Sequence, residues 1–164
     1  GSVWKFGDNV DTDVIFPSQY MLLPSIEAMK RHTFEPLMER FHERITPGDF
    51  VVAGENFGCG SSREQAAAVL KATGVGCVIA KSFARIFFRN AINIGLPVVV
   101  STCHEDVSGG EVLSIDLTEG VIRAEGSGRT FHVHTFPEHI QNMIDAGGLL
   151  SFINRRDAGS VHPA

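Results

Sequence analysis

The sequence predicts an α/β domain with a mostly parallel sheet and a separate antiparallel section. Short apolar runs alternate with helical patterns from Gly48 to Ser101, and hairpin-like turns follow them. The runs are continuous rather than alternating, which is typical of parallel strands covered by helices. With 43% hydrophobic residues, the 164-residue chain can bury one sizeable core, so we expect one domain over residues 1–156.

The first third of the chain is irregular. Val3 to Phe6 is predicted as a short strand, and Val14 to Phe16 is a second short apolar run. A long excursion, Ser18 to Pro47, follows with mixed charges. Ser25 is expected to cap one helix there, and a second helical stretch is expected from Glu35 to Phe41.

The middle of the chain is a β-α-β-α-β series. The expected elements are strands Phe50 to Ala53, Cys77 to Ala80 and Val98 to Val100, and helices Ser62 to Ala72 and Phe83 to Ile94. Ser82 is expected to cap the second of these helices, and Gly95 and Pro97 to end it.

Turn signals separate three further strands in the antiparallel section: Val112 to Leu117, Val121 to Ala124 and Thr130 to His134. A final helix is predicted near Pro137. The tail from Asp157 to Ala164 lacks periodicity and is predicted to be disordered.

Composition excludes several classes of function. The net charge of −5 and the lack of a Lys/Arg-rich run argue against nucleic-acid binding. No segment approaches the roughly 20 apolar residues of a membrane span. Val3 to Asp13 lacks the pattern of a secretory signal, so we expect a cytoplasmic protein.

The three cysteines, Cys59, Cys77 and Cys103, are widely spaced and form no C-x-x-C pair. They resemble neither a disulfide framework nor the usual ligand set of an iron–sulfur cluster. Cys77 lies in an apolar run and is expected in the core. We therefore assign no metal site to this chain.

The segment from Glu55 to Gln65 has the features of an anion-binding loop. It leads from a strand into a helix through small residues, so exposed N–H groups and the helix N-terminus favour an anion. Arg63 can grip a carboxylate at two points. It is not a phosphate-binding Walker A loop, because no Gly-Lys-Ser/Thr follows the glycines. A structural role is an open alternative to an anion site. Ser61-x-x-Glu64 and Ser62-x-x-Gln65 both fit the capping-box pattern, in which the serine caps the helix that follows.

Three ordered stretches resemble the aconitase superfamily, and specifically the swivelling domain that forms a separate small subunit in 3-isopropylmalate dehydratase. The stretches are Gly58-Cys59-Gly60-Ser61-Ser62-Arg63-Glu64, Asp8-Asn9-Val10-Asp11-Thr12-Asp13, and Ser82-Phe83-Ala84-Arg85-Ile86-Phe87-Phe88-Arg89-Asn90. The resemblance covers residues 4 to 101. It implies a three-layer β/β/α swivelling domain that works with an iron–sulfur large subunit as a hydro-lyase.

The resemblance also implies roles for individual residues. Ser61 matches the serine that removes a proton from the carbon next to a carboxylate, and Thr12 and Asp13 match a pair that orients the catalytic groups. Arg63 matches the residue that binds substrate carboxylate, and Ser62 its hydrogen-bonding neighbour. The [4Fe–4S] cluster of the family is held by the large subunit, so none is expected in this chain.

The substrate implied by the resemblance is a small hydroxy acid. A substrate-selecting loop aligns with Tyr20, Met21, Leu22 and Leu23, whose apolar side chains suit the branched alkyl group of isopropylmalate, on the leucine biosynthesis route. The alternatives are homoaconitate, citraconate/methylmalate and 2,3-dimethylmalate, or simple packing of these side chains. Gln65 stands where the family usually has His, which leaves the exact substrate open.

Two other groups carry weaker signals. Arg85 and Arg89 lie one helical turn apart, and form either a solvated face or a contact with the large subunit. The histidines His132, His134 and His139 are expected to face solvent. Two rivals remain outside this family of reactions: a non-catalytic anion-binding domain, and a hydrolase with Ser61 as nucleophile, which lacks a nucleophile-elbow pattern.

Overall fold

The structure is a computed structural model that describes residues 1–159 of the chain. Its strands are β1 (Val3–Lys5), β2 (Phe50–Ala53), β3 (Cys77–Ala80), β4 (Val98–Val100), β5 (Leu113–Asp116), β6 (Val121–Ala124) and β7 (Thr130–His132). Its helices are α1 (Thr12–Ile15), α2 (Ile26–Met29), α3 (Phe41–Arg44), α4 (Glu64–Ala72), α5 (Arg85–Asn93), α6 (Glu138–Asp145) and α7 (Leu149–Gly159). Short 3₁₀ turns lie at Ser18–Tyr20, Lys30–His32 and Cys103–Glu105.

The first four strands form a parallel sheet in the order β1-β2-β3-β4. Parallel neighbours need a crossover connection, and α4 links β2 to β3 while α5 links β3 to β4. All four strands therefore end at the same edge of the sheet. The loops that follow β1 and β2 meet at that edge.

The parallel sheet is buried on both faces. Val51 and Val78 belong to the core beneath the helices, whereas Val52 and Ile79 belong to the core beneath the antiparallel sheet β5-β6-β7, and all four side chains are fully buried. Strands buried on both sides need nearly continuous apolar sequence, which explains why their bounds were predictable. The predicted three-layer fold of helices, parallel sheet and antiparallel sheet is confirmed.

The excursion between β1 and β2 differs in part from its prediction. Ser25 does cap a helix, since its Oγ accepts a hydrogen bond from Ala28 N at 3.1 Å. The helix predicted from Glu35 to Phe41 is wrong, because α3 begins only at Phe41. Phe34 and Arg40 adopt left-handed backbone conformations (φ 56° and 55°), which interrupt a helix. The rings of Phe34 and Phe41 are fully buried and pack edge to face at 5.1 Å.

Aspartate capping decides the conformation of the apolar run from Val14 to Phe16. Asp11 Oδ1 accepts a hydrogen bond from Val14 N at 2.9 Å and starts α1, so that Val14 and Ile15 are helical. The predicted cap at Ser82 is wrong, because α5 begins after Ala84 without a side-chain cap. Ser82 Oγ instead accepts a hydrogen bond from Asn56 N at 2.7 Å.

The C-terminal part contains one more helix than expected. Two helices, α6 and α7, follow the antiparallel sheet, and α7 continues to Gly159. The first three residues of the predicted disordered tail are therefore helical, and the rest, 160–164, lie outside the described residues. Within residues 1–159, no helix is both long and apolar enough to cross a membrane.

Candidate active site

The candidate site lies where the loops after β1 and β2 run side by side. Four backbone hydrogen bonds join them: Gly54 N to Gly7 O at 3.0 Å, Asn9 N to Glu55 O at 2.8 Å, Gly58 N to Val10 O at 2.8 Å and Thr12 N to Cys59 O at 2.9 Å. These bonds bring the stretch from Asp8 to Asp13 against the stretch from Glu55 to Arg63. Two sequence motifs far apart in the chain thus form one surface.

Two side chains brace this surface from below. Asp8 Oδ1 accepts a hydrogen bond from Glu55 N at 2.8 Å, and Ser82 Oγ holds Asn56 N. Gly58 packs directly on the ring of Phe87 in α5, and Phe57 contacts Phe87 edge to face at 5.2 Å. The bracing roles of Asp8 and Ser82 were not predicted. The sequence did contain one indication of these roles. Asp8 and Ser82 each follow a strand of the parallel sheet, and the loops that follow parallel strands lie at the same edge of the sheet.

Ser61 and Ser62 are exposed at the crest of the loop. The residue that precedes the first turn of α4 is Arg63, and no side chain caps this helix. The structural alternative of a serine capping box is therefore wrong. Neither serine hydroxyl makes a hydrogen bond with the described part of the chain. Both hydroxyls are free to meet a ligand.

The backbone around the serines carries unused donors. The N–H groups of residues 60–65 donate no hydrogen bond to the residues that the structure describes. They lie at the N-terminus of α4, where the helix dipole adds partial positive charge. Unpaired N–H groups at a helix N-terminus favour an anion, so the anion site beside Ser61 and Ser62 stays a prediction that this geometry is compatible with.

Arg63 joins the two loops through its side chain. Its Nη1 lies 2.8 Å from Asp13 Oδ1 and donates a hydrogen bond to Phe16 O at 3.1 Å, and only 12% of the side chain is exposed. The hydrogen bond from Arg63 lowers the pKa of the Asp13 carboxyl below its usual range. Asp13 therefore stays ionised at neutral pH and fixes the orientation of the guanidinium. Thr12, the neighbour of Asp13, is buried beside Gly60.

The four residues of the predicted substrate-selecting loop are not equivalent. Leu22 is 98% exposed, whereas Met21 and Leu23 are half-buried and pack against the core beneath the helices. Tyr20 stacks on His32 with 3.5 Å between ring centroids. His32 Nδ1 in turn lies 2.9 Å from Glu35 Oε2. The structure thus leaves Leu22 as the loop residue most available to a ligand.

The cysteines occupy three different environments. Cys77 is 3% exposed, as predicted for a core residue, and burial raises the pKa of its thiol. Cys103 is also buried, and Cys59 is partly exposed in the loop before Ser61. Across residues 1–159, no three His, Cys, Asp or Glu side chains are grouped so that they could hold a metal ion.

The remaining polar residues singled out in the sequence lie on the surface. His132, His134 and His139 are exposed, as expected. Arg85 and Arg89 are exposed on α5, the helix that packs through Phe87 beneath the loop from Glu55 to Arg63.

Comparisons with known proteins agree with this architecture. The family described as Aconitase C-terminal domain matches residues 26–102. The 3-isopropylmalate dehydratase small subunit of Caldicellulosiruptor bescii is 49% identical over 156 residues, which cover 93% of both chains. The 3-isopropylmalate dehydratase small subunit 1 of Archaeoglobus fulgidus is 47% identical over 152 residues, 93% of this chain and 94% of the relative.

A solved structure with the same fold comes from the same family. The crystal structure of 3-isopropylmalate dehydratase from Methanocaldococcus jannaschii superimposes with a TM-score of 0.90 at 40% identity, and the match covers 96% of this chain and 94% of that one. Both the sequence relatives and the structural neighbour span nearly the whole chain. The chain belongs to the family of 3-isopropylmalate dehydratase small subunits, within the aconitase superfamily.

Proposed function

We propose that this chain is the small subunit of a hydro-lyase that interconverts 2- and 3-isopropylmalate by dehydration and rehydration, together with an iron–sulfur large subunit. The observation that carries the proposal is Ser61, an exposed serine whose hydroxyl and neighbouring N–H groups have no hydrogen-bond partner within residues 1–159. Family membership supports the same reaction. The cytoplasmic location expected from the sequence is part of this proposal.

In this mechanism Ser61 Oγ takes the proton from the carbon next to a substrate carboxylate. A serine is a weak base in water, so its anionic form needs nearby positive charge. The free N–H groups at the start of α4 and the guanidinium of Arg63 provide that charge. On rehydration the same hydroxyl returns a proton to carbon.

Arg63 binds the carboxylate of the substrate in the proposed complex. Asp13 and Phe16 O engage only its Nη1 atom, which leaves Nε and Nη2 without partners among the described residues. A side chain that is held at one nitrogen loses little further freedom on binding, so two donors are already oriented. Ser62 is placed to add a hydroxyl contact.

The proposal assigns the metal chemistry to the partner, as the family resemblance implies. Cys77 and Cys103 are buried in the core and Cys59 lies in the loop. When bound to the large subunit, a [4Fe–4S] cluster supplies a Lewis acid for the substrate hydroxyl that leaves. The exposed serines then have to face that subunit.

Isopropylmalate is the substrate that the excursion favours. Leu22 is fully exposed and its sequence neighbours Met21 and Leu23 are apolar, so a substrate group packed on Leu22 would meet hydrocarbon and not a charged partner for an additional carboxylate. Homoaconitate needs such a partner, whereas a branched alkyl group does not. The names of the relatives support the same choice, and leucine biosynthesis follows from it.

Anaerobic reconstitution tests the proposal. The chain is combined with its cognate large subunit and a rebuilt cluster, and formation of the unsaturated acid from 3-isopropylmalate is followed by ultraviolet absorbance. We expect turnover only when both chains are present. If a verified complex turns over homoaconitate or citraconate but not isopropylmalate, the substrate assignment is wrong and the reaction class stands.

A further inference from the structure

The outward face of α5 is an exposed stripe of two arginines and an isoleucine. Arg85, Ile86 and Arg89 are exposed, with Ile86 at 42%, while Phe87 and Ala91 on the opposite face are buried. Arg89 follows Arg85 by four residues and Ile86 by three, so its side chain neighbours both of them on the helix surface. We call these three residues the α5 stripe.

The two arginines of the α5 stripe have no partner within the described chain. Neither guanidinium takes part in a hydrogen bond, an ion pair or a ring contact with residues 1–159. By contrast, Arg63 and Arg129 are both paired with aspartates.

The N-terminal end of α5, which carries Arg85 and Ile86, adjoins the loop from Glu55 to Arg63. Ala84 N, at the start of α5, donates a hydrogen bond to Phe57 O at 2.9 Å, and Gly58 packs on Phe87 one turn further on. Arg85 and Ile86 are in the first turn of this helix, and Arg89 is about 6 Å further along its axis. We therefore expect a large partner that covers Ser61 to extend over the first turn of α5.

We propose that the α5 stripe is a docking surface for the large subunit, whose matching surface carries carboxylates around an apolar side chain. This inference rests on the proposed function, because the partner that completes the site is the one that must cover this edge. Arginine is enriched at the centres of protein interfaces, and the exposed aliphatic side chain of Ile86 adds apolar area beside the two guanidinium groups.

Charge distinguishes this occupant from a second copy of the chain. In a symmetric dimer the same patch meets itself, so two α5 stripes would bring four arginines together. Like charges at such a contact cost several kcal/mol. An acidic partner avoids this repulsion. It also supplies carboxylates for Arg85 and Arg89, which form no ion pair with the described residues of this chain.

Charge reversal tests the docking surface. The double variant R85E/R89E is compared with the wild type for binding to the cluster-loaded large subunit by anaerobic isothermal titration calorimetry. R123E is the matched control, since Arg123 is exposed on β6, in the antiparallel sheet on the far side of the molecule. Circular dichroism melting of the free variants verifies that each is folded.

We expect R85E/R89E to raise the Kd at least about tenfold, with a weaker dependence of Kd on salt, and R123E to leave both unchanged. Saturation with large subunit should restore most of the kcat of R85E/R89E, because the stripe docks and does no chemistry. If R85E/R89E binds with the wild-type Kd, the docking surface is wrong and the proposed function is untouched. If the wild type itself fails to bind the large subunit, both are overturned.

Discussion

Replacing Gly58 by alanine tests how tightly the loop from Glu55 to Arg63 is packed against α5. Gly58 has a φ of +80°, and a Cβ added there would lie 2.3 Å from Phe87 Cγ and 2.4 Å from Phe87 Cβ. Those atoms sit close to the helix backbone and cannot swing away. Ordinary contact begins near 3.4 Å, so the loop or the helix has to move by about 1 Å.

The expected loss of stability has two parts. The left-handed conformation costs a residue with a Cβ about 1–2 kcal/mol, and overpacking in a dense core costs about 1–3 kcal/mol. Together these give about 2–5 kcal/mol, or a fall in Tm of about 4–20 °C for a domain of this size. Thermal unfolding by circular dichroism measures it.

Gly110→Ala is the matched control because Gly110 has nearly the same φ, +83°, with nothing within 4 Å of an added Cβ. Gly110→Ala should lower the free energy of unfolding only by the cost of the left-handed conformation, about 1–2 kcal/mol. Gly58→Ala should also lower turnover about 100-fold well below its Tm, since a shift of about 1 Å misplaces Ser61 three residues along the loop. Equal destabilisation by the two variants, or full turnover by Gly58→Ala, would refute the reasoning.

The remaining predictions concern the residues to which the proposal gives catalytic and binding roles. Ser61→Ala should lower kcat by about 10² to 10⁴ with a modest change in KM, because it removes the proposed base; undiminished turnover would revive a non-catalytic role. Arg63→Lys should raise KM for isopropylmalate about tenfold by losing the two-point grip on a carboxylate, and an unchanged KM would show that Arg63 is misplaced. Asp13→Asn tests the ion pair between Asp13 and Arg63 through the pH dependence of stability. The pKa of Asp13 is lowered from an ordinary value of 3.8 by Arg63, so the stabilisation is present above that value and is lost as pH falls through the lower folded value. The difference in urea midpoint between wild type and Asp13→Asn should therefore be constant near neutral pH and shrink below about pH 4; a difference that persists in acid would contradict it.

The parts of the fold that were predictable are those in which burial alone dictates the sequence. The runs Phe50 to Ala53, Cys77 to Ala80 and Val98 to Val100 became strands with the predicted bounds. Most of their side chains are buried in one sheet, although Val100 at its edge is 51% exposed, so burial determines most of their composition locally. Strand order, by contrast, had no local signal.

The predictions that failed depend on contacts between distant residues. Ser82 had the residue type of a helix cap but became a hydrogen-bond acceptor for Asn56, 26 positions away. The segment from Glu35 to Phe41 had helical spacing, yet the burial of Phe34 and Phe41 against each other required left-handed turns. Local propensities are worth fractions of a kcal/mol per residue, less than the burial of an aromatic ring.

By itself, the sequence determined the chemical character of the candidate site. The order of glycines, serines and Arg63 before a helix indicated an anion-binding loop and a resemblance to the aconitase superfamily, because these signals are local. Only the tertiary structure decided that Asp13 holds Arg63, that neither Ser61 nor Ser62 caps α4, and that the N-terminal end of α5 adjoins the loop. These relations depend on parallel strands that end at one edge, which brings together residues about 50 positions apart in the chain.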